Sequence, residues 1–177
     1  MPDNSTETLT IRASFNQSTR DNAQFRLTVS NVTVNTASSS FAAANAGGLA
    51  SAVDGDKNKI EVTATKLVWQ QQPSTTFVNV AMSPSPAIRA LDANDQVDYD
   101  YAGNPGLSSD GTLSSSPTAT FANGLGTYSD VIHSTAANNR RLNSTNSDGL
   151  TNTGNSDQFN VTAPPSESVV ELFRFIC

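Results

Sequence analysis

Apolar and polar side chains alternate with a period of two on both sides of residues 64–66. Ile60 and Val62 alternate with polar neighbours, which is typical of a strand with one buried face. Leu67 and Trp69 continue the alternation with the opposite parity. The inward face must therefore switch between the two stretches, as it does at a bulge or where one sheet ends and another begins. This switch predicts that residues 64–66 join two β-domains in an extended conformation.

The same alternation predicts further strands before and after this junction. On the N-terminal side the predicted strands cover residues 9–15, 25–34 and 59–63. On the C-terminal side they cover residues 67–69, 77–82, 87–91, 118–121, 126–133 and 158–162. Loops rich in Ser, Asn and Gly separate these strands, residues 16–22 form a predicted turn, and no stretch has the 3.6-residue period of a helix.

The number and spacing of the strands predict an all-β fold. About six or seven short strands in about 100 residues, with turn signals between them, are typical of an immunoglobulin-like antiparallel β-sandwich. We therefore predict such a sandwich at residues 65–163. Residues 1–64 form a thinner N-terminal β-module in tandem with it, an incomplete one if its start has been trimmed away. Residues 164–177 are predicted to be a tail or the start of a following module.

Composition narrows the class of protein. The apolar fraction is 36%, below the roughly 45–50% of ordinary globular domains. We therefore expect strands with one solvent-exposed face and a small hydrophobic core. A net charge of −6 repels the phosphate backbone, which excludes a nucleic-acid partner. No apolar run approaches the roughly 18 residues of a spanning helix, so membrane insertion is not expected. The single cysteine, Cys177, precludes an intrachain disulfide.

Four stretches of the chain carry a resemblance to a known family. They are DGDKNKIEVTATKLVWQQQPS, SPSPAIRALDANDQVDYDY, ATFANGLGTYSDVIHS and SDGLTNTGNSDQFNVT. The resemblance covers roughly residues 54–163. In this order they resemble repeated modules of very large secreted surface proteins of Bacteroidota-type bacteria. One departure is DANDQ, which replaces the DANGN that is usual in the family and so removes the glycine of that turn.

The resemblance implies tandem β-sandwich modules in adhesin-like or hyalin-like stalks, often exported by the type IX route. A non-enzymatic, structural or adhesive role at the bacterial cell surface or outside the cell is therefore expected. The implied partners are neighbouring modules of the same polypeptide and, beyond them, surface glycans or other cell-surface proteins. The start Met1-Pro2-Asp3, which no apolar signal region follows, favours a fragment of a longer chain.

One acidic stretch is a candidate calcium site. It gathers five oxygen-bearing side chains, those of Asp92, Asn94, Asp95, Asp98 and Asp100. Calcium takes six to eight oxygen ligands, and clustered carboxylates otherwise repel one another. The alternative is a solvated turn, because Asp and Asn are ordinary turn residues. A second, weaker candidate is the DGD turn with Asp54 and Asp56.

Catalytic and sugar-binding constellations are weaker. His133 is the only histidine. A Ser–His–Asp triad would recruit Asp130 and one of many serines, but no nucleophile-elbow motif is present. His133 is therefore expected to be a polar residue at a strand end. Trp69, together with Phe77, Tyr99, Tyr101 and Tyr128, is a candidate platform for stacking sugars, and the alternative is packing between sheets.

The sequence thus favours a structural or adhesive repeat module of a bacterial surface protein, in which calcium would stiffen the arrangement. The alternative hypothesis is a carbohydrate-binding module attached to a secreted hydrolase. Exposure of Trp69 separates the two hypotheses, because a buried indole argues against sugar binding.

Overall fold

The chain divides into two compact units, Met1–Glu61 and Val62–Cys177. The structure, a computed structural model, describes residues 10, 12–25, 59–145 and 148–165. Within these residues the protein is rich in strands, its sheets are mainly antiparallel, and no helix is present. The expected all-β class is therefore observed in the described part of the chain.

The first unit is described only in part. The predicted turn at residues 16–22 is present: Asn16 Oδ1 accepts a hydrogen bond from the Ser18 amide at 3.2 Å, and Asn22 has a φ of 60°. The predicted strand at residues 9–15 is not observed over residues 12–15, which carry no strand pairing. The remaining expectations for this unit, including the DGD turn with Asp54 and Asp56, fall outside the described residues.

The described residues of the second unit contain nine strands. These are β1 (Lys66–Gln71), β2 (Thr76–Phe77), β3 (Ala87–Leu91), β4 (Gly106–Ser109), β5 (Thr120–Ala122), β6 (Leu125–Thr127), β7 (Ala137–Arg140), β8 (Leu142–Thr145) and β9 (Phe159–Thr162). They form a four-stranded sheet β1-β3-β6-β5, a three-stranded sheet β2-β9-β7 and the pair β4-β8. Every pairing is antiparallel except that of β2 with β9, which is parallel.

Local sequence explains several of these elements. β3 coincides with the predicted strand, and its buried residues Ala87, Ile88 and Ala90 leave Arg89 half-exposed. β5 and β6 are joined by Asn123-Gly124, whose φ values of 51° and 69° suit a tight hairpin. The predicted strand at residues 77–82 is wrong over most of its length, because Asn79 takes a left-handed φ of 62° and ends β2.

One hydrophobic core joins the three sheets of this unit. Leu67 and Ile88 come from the four-stranded sheet, and Phe159 and Val161 from the three-stranded sheet. Leu107 of β4 and Leu142 of β8 belong to the same cluster. Both Val62 and Leu67 are buried, so the parity switch that the sequence predicts between them is present.

Candidate functional site

The acidic stretch begins with a turn whose side chains serve the backbone. Asp92 Oδ1 accepts hydrogen bonds from the amides of Asn94 and Gln96, both at 2.8 Å. Asp95 follows with a left-handed φ of 63°, and its carboxylate forms an ion pair with Lys66. In this turn one carboxylate oxygen of Asp92 and one of Asp95 already have protein partners, which is the ordinary turn chemistry of such residues.

Asp98 and Asp100 lie after this turn and are brought together. Each offers a carboxylate oxygen within 4.8 Å of the other's. Asp98 is only 6% exposed, and its Oδ2 accepts a hydrogen bond from the Ala64 amide at 2.9 Å. The structure therefore places the five predicted calcium ligands in two groups. Asp92, Asn94 and Asp95 lie in a hydrogen-bonded turn, and Asp98 and Asp100 form a close pair of carboxylates. The calcium site itself stays a prediction, carried chiefly by Asp98 and Asp100.

Trp69 packs against the core instead of standing free. Its ring centroid lies 6.4 Å from that of Tyr128, which is fully buried. The indole N–H donates to the carbonyl of Gly154 at 3.2 Å. Tyr101 makes an edge-to-face contact with Phe121, 4.7 Å between centroids, elsewhere in the unit. The half-buried Trp69 and its neighbours Tyr101 and Tyr128 therefore take part in packing, which is the alternative to a sugar platform that the sequence left open. Phe77, another ring of that candidate platform, is 45% exposed.

His133 is fully buried and contacts Ser109, a pair that the sequence did not single out. Ser109 Oγ lies 3.0 Å from His133 Nε2, and it also accepts a hydrogen bond from the Gly111 amide at 3.0 Å. The same hydroxyl donates to the Arg141 carbonyl at 3.2 Å. Ser109 Oγ is a hydrogen-bond partner of Nε2 in either tautomer of the imidazole, because a hydroxyl can both donate and accept.

The surroundings of the His133 ring limit the chemistry that it can support. His133 Nδ1 is buried and has no hydrogen-bond partner among the described residues, so no carboxylate orients the ring. Burial lowers the pKa of His133, and the nearby Asp110 acts in the opposite direction. A general base needs a free lone pair facing the hydroxyl that it activates. Among the described residues no third group orients the ring as a catalytic triad requires, and the pair is a buried polar contact at the end of β4.

A polar pocket lies beside β4 and β8, and we call it the β4–β8 pocket. Its volume is about 340 Å³. Asp110 and Arg141 line it with charged groups of opposite sign, and Asn143 and Asn155 add two amides. The Asn143 Oδ1 atom is buried without a hydrogen-bond partner among the described residues. An unmet buried acceptor costs free energy, so this pocket is a polar site with unused bonding capacity.

The first and last parts of the second unit run side by side in the same direction. We call residues 66–77 the leading segment and residues 151–162 the closing segment. Lys66 forms a parallel bridge with Thr151 at one end, and β2 pairs in parallel with β9 at the other. Both contacts have the same offset in the sequence, so the two segments stay in register along their whole length.

Side chains maintain this register where the backbones are not paired. Trp69 Nε1 donates to the Gly154 carbonyl, Gln72 Oε1 accepts from the Asp157 amide at 2.9 Å, and Thr75 Oγ1 accepts from the Asn160 amide at 3.3 Å. Each of these bonds joins residues that are 85 apart in the sequence. The terminal segments are therefore joined by a nearly continuous ladder of backbone and side-chain hydrogen bonds.

The sequence carried little signal for these features. Ser109 and Gln72 are polar residues among many, and their partners lie 24 and 85 residues away.

Among the described residues there is no helix that is long and apolar enough to span a membrane. Comparison of the chain with protein-family models, with curated proteins and with solved structures found no match. The geometry of the described residues is therefore the ground on which function is argued.

Proposed function

We propose that the chain is a non-enzymatic structural and adhesive module of a bacterial extracellular or cell-surface protein. Its proposed partners are the neighbouring modules of the same polypeptide and, beyond them, surface glycans or other cell-surface proteins. The resemblance of residues 54–163 to stalk modules supports this proposal. The alternative, a carbohydrate-binding module attached to a secreted hydrolase, is less favoured because Trp69 is half-buried and packs on Tyr128.

Within this proposal the second unit is an immunoglobulin-like β-sandwich. The support is the shared core: Ile88 of the four-stranded sheet and Val161 of the three-stranded sheet are both at most 1% exposed and belong to one cluster. Two sheets that bury side chains in one cluster are expected to face each other. The parallel β2–β9 pair is a departure from a purely antiparallel sandwich.

The observation that carries the structural role is the parallel register of the leading and closing segments. In a tandem array the chain is pulled at the start of the leading segment and at the end of the closing segment. Because the segments run parallel, these two forces point in opposite directions along the strands. Every hydrogen bond between the segments is then loaded at once in shear, whereas unzipping would break them one at a time. Such an arrangement suits a module that transmits tension.

The absence of catalytic activity in this proposal is supported by His133. Its Nδ1 has no hydrogen-bond partner among the described residues, so the Ser109–His133 pair lacks there the third group of a catalytic triad. Calcium belongs to the proposal at Asp98 and Asp100, whose carboxylate oxygens lie within 4.8 Å of each other. A divalent cation there would cancel the repulsion between the two charges and stiffen the start of the unit.

Force spectroscopy in two pulling geometries tests the structural role. Handles at Thr63→Cys and Ala163→Cys, both exposed positions, pull along the leading and closing segments. Handles at Thr63→Cys and Asn94→Cys lie at one end of the antiparallel β1–β3 pair, the end where Lys66 faces Leu91. Pulling on them separates the two strands from that end. Cys177→Ser is included in both variants so that each molecule has only two attachment points.

The first geometry is expected to need a clearly higher unfolding force than the second, since it loads the ladder between the segments in shear. Equal forces in the two geometries would contradict the mechanical role. Thermal melting of the two variants provides the control, because similar midpoints show that the handles themselves have not altered the stability of the unit.

A further inference from the structure

We propose that the β4–β8 pocket binds a neutral sugar. The inference rests on the proposed adhesive role for its biological meaning, because it assigns a place and a chemical class to the surface glycan. It does not depend on the mechanical argument. The pocket, of about 340 Å³, lies at the small end of the roughly 300–1,000 Å³ typical of ligand sites. It therefore has room for one or two sugar rings.

The charged groups of the pocket are held in place by the backbone. Asp110 Oδ1 accepts a hydrogen bond from the Arg141 amide at 2.8 Å, and Arg141 Nη1 donates to the Ser156 carbonyl at 2.8 Å. Each bond uses one atom of its side chain and fixes the side chain's direction. The second carboxylate oxygen of Asp110 and the other guanidinium N–H groups of Arg141 remain as acceptor and donors for a ligand.

The floor of the pocket is also rigid. β8 is tied on its far side to the closing segment, where the Leu142 amide donates to Ser156 Oγ at 2.9 Å and the Ser144 amide donates to Thr153 Oγ1 at 3.2 Å. Leu142 itself is fully buried and lines the base of the pocket. A ligand would therefore meet groups that are already ordered, which reduces the entropy cost of binding.

The balance of charge selects a neutral ligand. Asp110 repels an anion, an effect that the net charge of −6 reinforces, and Arg141 repels a cation. A hydroxyl group donates one hydrogen bond and accepts others, so it suits a carboxylate on one side and a guanidinium or amide on the other. A sugar presents several such hydroxyls at fixed spacing, and this matches the alternation of donors and acceptors in the pocket.

The two asparagines extend this match. Asn143 Oδ1 is buried and lacks a donor among the described residues. Rotation about the soft terminal torsion of its side chain would present this oxygen to a ligand hydroxyl and remove the cost of an unmet acceptor. Asn155 lies opposite, in a bridge with Asn143, and its exposed side chain offers both a donor and an acceptor at the rim.

The affinity of one pocket is expected to be low. No aromatic side chain is among the residues that line it in the described part of the chain, so stacking on a sugar face is not available. A few hydrogen bonds to neutral groups correspond to a dissociation constant of about 1–10 mM. Repeated modules would raise the effective strength through multivalency.

Nuclear magnetic resonance titration of the 15N-labelled full chain tests the proposal. The probes are glucose, galactose, mannose and N-acetylglucosamine as neutral sugars, glucuronate as the anion and glucosamine as the cation, each to about 100 mM. At least one neutral sugar is expected to give saturable shifts at the backbone amides of Asp110, Arg141 and Asn143. The two charged sugars are expected to bind at least about five-fold more weakly.

Two variants locate the site. Asn155→Ala should weaken binding of the neutral sugar by about five- to ten-fold through the loss of one hydrogen bond. Asn152→Ala, an exposed asparagine of the same loop that does not line the pocket, is the matched control and should leave binding unchanged. Asp110→Asn removes the negative charge and should make glucuronate bind more tightly than it does to the parent chain.

Three results would overturn the assignment: no saturable shift at the pocket with any neutral sugar, equal binding of charged and neutral sugars, or equal effects of Asn155→Ala and Asn152→Ala. None of them bears on the force measurement, so failure of the sugar site and failure of the structural role are separate outcomes.

Discussion

The ladder between the leading and closing segments predicts that a single glutamine controls resistance to force. Gln72→Ala removes the acceptor of the Asp157 amide. A neutral hydrogen bond contributes about 1 kcal/mol to stability. If the bond is intact in the native state and broken in the transition state, the unfolding rate rises by about five-fold.

The chain offers a matched control two residues earlier. Gln70 accepts a hydrogen bond from Arg89 Nε at 3.0 Å, which ties β1 to β3 and not to the closing segment. Gln70→Ala therefore removes one hydrogen bond of a glutamine in the same leading segment without touching the ladder. Under terminal pulling its unfolding rate should change by less than about two-fold.

The assay is the lifetime of the folded unit at constant force, measured with handles at Thr63→Cys and Ala163→Cys on the Cys177→Ser background. Chemical denaturation of each variant without force gives the equilibrium loss, which is expected to be similar for the two glutamines. A shorter lifetime for Gln72→Ala alone supports the shear argument. The same lifetime for both variants would refute it, because the closing segment would then carry no more of the load than β3 does.

Three further predictions concern stability. Gly124→Ala should cost at least about 2 kcal/mol, because it combines a left-handed φ of 69° with a Cβ placed 2.5 Å from the Asp98 carbonyl oxygen. Gly149→Ala, with a φ of 79° and nothing near its Cβ, should cost only about 1 kcal/mol, and equal losses by urea titration would contradict the steric argument. Because burial lowers the pKa of His133, the unfolded chain takes up a proton near pH 6.5 that the folded chain does not, so stability should fall as the pH is lowered from about 7.5 to about 5.5. A urea midpoint that stays constant over this range would show that the imidazole is not desolvated. Finally, the melting midpoint should be higher in about 1 mM calcium than in a chelator, and this difference should disappear in the variant Asp100→Asn. An unchanged midpoint in the parent chain would remove the metal from the proposal.

The strands that the sequence predicts well have apolar residues at alternate positions. β3, with Ala87, Ile88 and Ala90 inward, and β9, with Phe159 and Val161 inward, are examples. Here burial of every second side chain is a local property, so the period of the sequence is sufficient. The candidate turn at Asp92 was also foreseeable, because an Asp side chain that accepts amides two and four residues ahead needs only local chain.

Three strands have no such signal. β4, β7 and β8 have the sequences GLSS, ANNR and LNST, in which serine and asparagine occupy positions that a period-two pattern would give to apolar residues. They are strands because neighbouring segments supply backbone partners, and the buried Ser144 is satisfied by Thr153 from the closing segment. Strand formation there depends on tertiary context.

The amino-acid sequence by itself determined the all-β character and the turns of the described residues and the absence of an intrachain disulfide, since each follows from local periodicity, local hydrogen bonding or the cysteine count. Only the tertiary structure decided that residues 66–77 run parallel to residues 151–162, and that Asp110 and Arg141 meet two asparagines in one pocket. Backbone hydrogen bonds are alike for every residue, so the choice of neighbouring strand leaves no mark on the sequence. That choice is made by the packing of the whole core.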